Sequence, residues 1–179
     1  MCQSRFFPYL FKGEGEKTEG NCRPKGMGNP MISTAQRIDY EKVAPEAYEA
    51  LERVSGYVQS TALPKNLLEL VRIRASQING CTYCIKSHAR RAKALGESDE
   101  RIWLLEVWER VPIYSAQEKA ALAWTEAVTL ISEDHAPDKV FEEVRKYFSE
   151  KDIVDLTMAI IAINSWNRLS ISMRDLLPA

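Results

Sequence analysis

Glu69-Leu-Val-Arg-Ile-Arg-Ala-Ser-Gln-Ile-Asn-Gly-Cys81-Thr-Tyr-Cys84-Ile-Lys-Ser-His88 reads as helix, turn, helix. With Leu67 and Leu68 just before it, the first half is apolar on nearly every side of a helix over 65–78 (Leu70, Val71, Ile73, Ala75, Ile78), the pattern of a helix with neighbours all round. Asn79-Gly80 is a stop and turn signal. A second helix, about 82–95, opens on the two cysteines, and Gly96 fits the position just past its end. Cys84 and His88, at i and i+4, stack on one face a turn apart. Cys81 and Cys84, at i and i+3, are close enough for a disulfide at the helix start. Reactive groups converge nowhere else in the chain.

The spacing makes a geometric prediction. Glu69 lies roughly 15 Å before the turn and His88 roughly 11 Å past it, at about 1.5 Å per helical residue. If the helices fold back antiparallel, the carboxylate and the imidazole meet at one height. A carboxylate there orients the imidazole and supports its positive charge, as in catalytic triads.

Outward from this hairpin the signals stay helical and the breaks short. Pro45 suits a first helical turn, and Ala47, Leu51, Val54 and Val58 follow as an apolar stripe. Pro64 opens the Glu69 helix. Ser98 can cap a fourth helix with Ile102, Leu105 and Trp108, broken at Pro112. Ser115-x-x-Glu118 is a capping box for a fifth helix to about 131, with Ala120, Ala123, Trp124, Ala127 and Leu130 in period. Pro137-Asp138 starts a sixth. Ser149-x-x-Asp152 opens a seventh, carrying Ile153, Leu156, Ile160 and Ile163 past Asn167. No segment alternates with period two, so the expected class is all-α, about seven helices with short connections. Residues 1–30 hold five of the eight glycines and three of the eight prolines without a hydrophobic period and read as a disordered tail. Met31 is a plausible alternative start, and the helical domain is expected over 31–179.

Composition narrows the function classes. The 179 residues suggest one domain. A formal net charge of −1 leaves no electrostatic footprint for nucleic acid or an anionic membrane. No apolar run approaches the roughly 20 residues of a membrane span, and the Phe6–Phe11 stretch is too short for a signal peptide core. The expected location is the cytoplasm, with thiols reduced at rest. There a C-x-x-C pair points to catalysis or metal binding rather than to a scaffold disulfide.

At a helix start the free backbone N–H groups and the positive dipole end favour a thiolate, the reactive form of cysteine. The neighbouring cysteine can close a disulfide once the first is oxidised to sulfenic acid, and His88 stands where it could take the thiol proton. Three readings compete with this one. Cys81 and Cys84 could pack as core. Cys81, Cys84 and His88, with Glu69 as fourth ligand, could hold zinc. Glu69 could be a surface acid paired with Arg72 at i+3. His135 reads as solvated, and the Lys86, Arg90, Arg91 and Lys93 run as a solvated face, with Arg91 placed to line a site mouth. The four tryptophans fall on apolar faces. Asn164, Trp166, Asn167 and Arg168 crowd an otherwise apolar helix, which suggests a structural network or a site wall.

The pattern E-x11-C-x-x-C-x3-H, filled by Glu69, Cys81, Cys84 and His88, resembles the alkylhydroperoxidase-like family, the AhpD and carboxymuconolactone decarboxylase superfamily. Arg74-Ala-Ser-Gln-Ile-Asn-Gly, Ala-Leu-Ala-Trp-Thr-Glu at 121–126 and Ile-Asn-Ser-Trp-Asn-Arg at 163–168 add to the likeness, which runs from about Met31 to the C-terminus. It implies an all-α fold in homotrimers or homohexamers and thiol-dependent peroxidase or disulfide-reductase chemistry. Cys84 is then the attacking thiolate, Cys81 the resolving thiol, and Glu69 and His88 a proton relay through a water. It implies a hydroperoxide substrate, an external dithiol or lipoylated protein as reductant, and no metal or organic cofactor. The family's best-known members carry a second histidine where this chain has Tyr83. The decarboxylase branch generally lacks the C-x-x-C pair, so decarboxylation is not expected. The alternatives are a zinc-stabilised structural oligomer and a redox sensor without turnover.

Overall fold

The computed structural model describes residues 35–177. The expected tail, the boundary at residue 31, and Cys2 and Cys22 lie outside them. The described residues are helical and include no strand. Among the described residues there are nine α-helices, α1 (Tyr40–Val43), α2 (Pro45–Ser60), α3 (Lys65–Asn79), α4 (Thr82–Ala94), α5 (Asp99–Trp103), α6 (Ala116–Thr129), α7 (Ile131–Asp134), α8 (Asp138–Val144) and α9 (Glu150–Met173), with a 3-10 helix over Leu104–Arg110 after α5. None of them is long and apolar enough to cross a membrane.

Most starts follow the expected caps. Pro45 is the first residue of α2, and Ser115 and Ser149 each close a capping box, with Glu118 and with Asp152. The extra elements have local causes. Ala44, forced out of helical geometry before Pro45 (φ −141°, ψ 64°), separates a short α1 from α2. The expected fourth helix splits at Leu104, and Val107 leaves helical geometry (φ −116°, ψ 26°). Ile102, Leu105 and Trp108 are buried, while Trp103, one position off that face, is 74% exposed. The apolar-face reading thus holds for Trp108 and Trp124 but not for Trp103. In the α2 stripe Val58 is fully buried, whereas Ala47 is exposed.

α3 is the central element, and its all-round hydrophobicity is the reason. Leu67, Leu68 and Val71 enter a core made with α6, α8 and α9, where Trp124, Val144, Leu156 and Ile160 meet them. Leu70 and Ile73 face the other way, into a second core with Ala92, Leu105, Trp108 and Leu122. Ala75 closes a third, small cluster with Cys81, Cys84 and Ile163. Hydrophobic burial is worth about 25 cal/mol per Å2 of apolar surface, so a helix that buries every face is held against tilt and rotation. Glu69 and the turn after Asn79 inherit that rigidity.

Candidate active site

α3 ends as expected. Gly80 takes the left-handed conformation (φ 72°) that stops the helix, and its N–H returns to the carbonyls of Ser76 and Gln77. The chain reverses and Cys81 becomes the N-cap of α4, its sulfur accepting from the Cys84 N–H at 3.4 Å. The two cysteines are joined as a disulfide with their Cα atoms 5.4 Å apart, an ordinary spacing for that bond. Both cysteines are buried, Cys81 at 1% and Cys84 at 4% exposure, but Cys84 lines an open cleft of about 750 Å3 and Cys81 does not.

Glu69 and His88 meet as the antiparallel geometry predicts. His88 Nδ1 lies 2.7 Å from Glu69 Oε2. A carboxylate can only accept, so the proton sits on Nδ1 and Nε2 keeps its lone pair. Arg72 donates to the other oxygen, Oε1, at 2.5 Å. The i+3 partnership therefore exists, but it is buried rather than on the surface: the Glu69 and Arg72 side chains are 5% and 11% exposed. Relay and ion pair are one assembly, in which each carboxylate oxygen has its own donor. Arg72 is the site residue that the sequence reading left on the surface. Its signal was present, because an arginine on a helix apolar all round has to be buried with its charge paired.

Burial alone would raise the Glu69 carboxyl, but the hydrogen bond from His88 and the charges around it outweigh that and hold it below its ordinary range. Burial holds His88 below its ordinary value, with the Arg72 and Arg91 charges acting the same way against the Glu69 bond. The site is thus poised as an anionic carboxylate and a neutral, basic imidazole. Arg91 lines the cleft, as its position three residues past His88 suggests. The zinc reading needs Cys81, Cys84, His88 and Glu69 on one ion. Here both Glu69 oxygens are engaged and the two sulfurs are bonded to each other. Among the described residues no three His, Cys, Asp or Glu side chains are grouped to hold a metal ion.

The polar crowd on α9 is both network and wall. Asn79, the last residue of α3, donates to Asn164 and to Asn167, each at 2.9 Å, and Asn167 donates to Ser76 at 3.0 Å. Arg168 donates to Asn164. The turn that positions the cysteines is thereby fastened to α9. Trp166 instead lines the cleft, its indole N–H donating to Ser55 at 2.8 Å. Two other stretches behind the likeness are structural. Arg74 pairs with Glu126 at 2.7 Å, the same carboxylate accepts from Trp108, and Trp124 donates to Thr157. His135 is exposed, as expected.

Comparison with known proteins agrees with this geometry. The model of the carboxymuconolactone decarboxylase family matches residues 45–127, which run from α2 into α6. YdfG of Bacillus subtilis (strain 168), an uncharacterized protein, is 40% identical over 139 residues, 78% of this chain and 95% of YdfG. A crystal structure from Agrobacterium tumefaciens, of a protein of unknown function for which an AhpD role in antioxidant defence has been suggested, superposes with a TM-score of 0.79. It is 43% identical and covers 81% of this chain and 99% of its own. The debrominase Bmp8 shares the fold at a TM-score of 0.70 and 21% identity, over 77% of this chain and 74% of Bmp8. The matched region holds the whole Glu69, Cys81, Cys84 and His88 pattern, and the chain belongs to the AhpD and carboxymuconolactone decarboxylase superfamily.

Proposed function

We propose that the protein is a thiol-dependent peroxidase acting on hydroperoxides. The observation that carries this reading is the asymmetry of the cysteine pair: both are buried, but Cys84 alone lines the cleft, with Cys81 within bonding distance of it. In the reduced enzyme His88 Nε2 takes the Cys84 proton through one water, while Glu69 steadies the imidazolium. The Cys84 thiolate attacks the terminal peroxide oxygen. The O–O bond breaks, the alcohol leaves with the relayed proton, and Cys84 becomes sulfenic acid. Cys81 displaces the hydroxyl as water and the disulfide forms. An external dithiol or a lipoylated protein then returns two electrons and two protons, so each turnover converts one hydroperoxide and one dithiol into an alcohol, water and a disulfide.

In this reading the chain assembles as a homotrimer or homohexamer. The exposed Val154 and Ile161 on α9 favour burial by a second copy, and light scattering measures the assembly. The test of the chemistry is a pair of variants. Cys84→Ser should abolish dithiol-dependent peroxide consumption. Cys81→Ser should also abolish multiple turnover, yet still give one sulfenic acid per chain that dimedone traps. Unchanged turnover in either variant rejects the mechanism. About one zinc per purified chain favours the structural oligomer, and a change of oligomer size on oxidation with negligible turnover favours the sensor.

A second reading uses the same thiols. Bmp8, a debrominase, has been crystallised as a cysteine variant with 2,3,4-tribromopyrrole, and the cleft here has aromatic walls. A dithiol can replace an aromatic carbon–bromine bond by carbon–hydrogen, releasing bromide and a proton and leaving a disulfide. Bromide release from a bromopyrrole, with no hydroperoxide consumption, is the result that selects this reading.

A further inference from the structure

The cleft is built for something much larger than hydrogen peroxide. Its volume of about 750 Å3 lies in the range that holds drug-sized molecules, whereas hydrogen peroxide needs little more than the ~30 Å3 of one water. Four rings line it, together with the charged Glu41, Glu52, Lys65 and Arg91. Rings from four different helices line the cleft with Cys84: Tyr40 of α1, Tyr48 of α2, Tyr83 of α4 and Trp166 of α9. Tyr48 stands edge-on to Trp166, with centroids 5.4 Å apart and planes at 69°, and Tyr40 follows Tyr48 at 6.2 Å. Tyr83 packs against the disulfide and Ile163.

Two anchors fix rings of this wall. The Trp166 indole is held to Ser55 at 2.8 Å and the Tyr40 hydroxyl to Asp175 at 2.8 Å. Rings held in place bind another ring at little cost in side-chain entropy, and an aromatic pair adds about 0.5–1.5 kcal/mol beyond its area burial. Among the charged residues of the lining, the buried Glu69 and Arg72 pair with each other, and Glu41, Glu52 and Arg91 are exposed.

We infer that the substrate of the Cys84 site is an organic hydroperoxide with an aromatic body, seated against Tyr48 and Trp166 so that its O–O group reaches Cys84. This inference rests on the peroxidase reading for the reacting group but not for the ring. Trp166 and Tyr48 are the residues that select the body of the substrate, and Cys84 acts on its head.

The test compares cumene hydroperoxide, tert-butyl hydroperoxide and hydrogen peroxide on the full-length enzyme with saturating dithiothreitol. The aromatic substrate should exceed tert-butyl hydroperoxide about tenfold in kcat/KM, chiefly through KM. Trp166→Leu and Tyr48→Leu should each reduce that ratio, Trp166→Leu to about one. A ratio near one in the wild type overturns the inference while leaving the peroxidase reading intact. A second measurement needs neither turnover nor a variant: 2-phenyl-2-propanol, the product alcohol of cumene hydroperoxide, should slow iodoacetamide alkylation of Cys84 in the reduced wild type where tert-butanol does not. Protection without turnover of any peroxide rejects the peroxidase reading and keeps the aromatic cleft. Equal effects of the two alcohols overturn the inference, as does a Trp166→Leu variant altered only in its KM for the dithiol.

Discussion

Glu69 holds two donors with two oxygens, and an amide cannot. In Glu69→Gln one end of the side chain becomes a donor and faces either Arg72 or the Nδ1 proton of His88. Either the imidazole moves its proton to Nε2 so that Nδ1 accepts from the amide, or a donor faces Arg72; in both cases the buried arginine loses its counter-charge, which is the costly part. Breaking a buried pair from one side costs about 3–5 kcal/mol, so urea denaturation should show a loss of that order. Activity should fall too, because the imidazole loses the acceptor that fixes its tautomer. The pH dependence has a definite sign. Glu69 ionises below its ordinary 4.5 in the folded chain, so its contribution is complete above 4.5 and is lost as pH falls through the lower folded value. His88 protonates below its ordinary 6.5. The unfolded chain therefore takes up that proton first, and acid favours unfolding from 6.5 downward. Both groups make the protein less stable on acidification, His88 first. Urea midpoints measured from about pH 7 to about pH 4 should decline in that order, and His88→Asn should remove the upper part of the decline.

At the scale of elements, the α3–α4 hairpin was the most legible part of the chain. An all-round apolar helix, an Asn-Gly stop and a cysteine pair at the next start leave few arrangements open, and the Glu69–His88 contact followed from rise per residue alone. The double role of Asn79 was not legible. Its two long-range partners, Asn164 and Asn167, lie 85 and 88 residues away, and nothing local marks them. The kinks at Leu104 and Val107 were hidden for a related reason: tertiary packing of Ile102, Leu105 and Trp108 overrides a helical sequence pattern. Two substitutions separate the turn from its fastening. Gly80 has nothing within 4 Å of an added Cβ, so its constraint is the backbone angle of 72° alone. Gly80→Ala should cost about 1–2 kcal/mol, and Gly80→Asn less, since asparagine tolerates that region. Asn79→Ala instead leaves the buried Asn167 amide oxygen without its donor, while the Asn164 oxygen keeps the one from Arg168. It should cost about 1–3 kcal/mol and raise the reactivity of the cysteine pair towards dithiothreitol by loosening the turn. Thermal unfolding and disulfide reduction rates, measured side by side, distinguish the two effects.

Across the whole molecule, sequence reading located the reacting groups but not the space they face. Cys84 and His88 share a helix, whereas Tyr40, Tyr48 and Trp166 reach the cleft only because α1, α2 and α9 fold over α4. One closure makes this visible. The Arg37 backbone N–H donates to Met173 O at 2.8 Å, its guanidinium donates to Ser172 O at 2.9 Å, and Tyr40 donates to Asp175. The two ends of the described chain thus clasp each other at the rim of the cleft, 135 residues apart in sequence for the side-chain bonds. Burial and the Asp175 carboxylate push the Tyr40 hydroxyl well up, so it remains a donor across the working pH range. The Tyr40–Asp175 bond alone contributes little to global stability, because one hydrogen bond to a partly exposed charge is worth about 1–2 kcal/mol. Its effect falls on access. Asp175→Ala should therefore leave the melting temperature within a few degrees of the wild type, yet speed iodoacetamide alkylation of reduced Cys84 severalfold as Tyr40 swings free of the wall. Tyr40→Phe, which keeps the ring and loses the bond, should reproduce the faster alkylation. Asp175→Asn, whose amide oxygen still accepts, should restore the wild-type rate. Equal alkylation rates in all three variants would show that the rim does not depend on this bond.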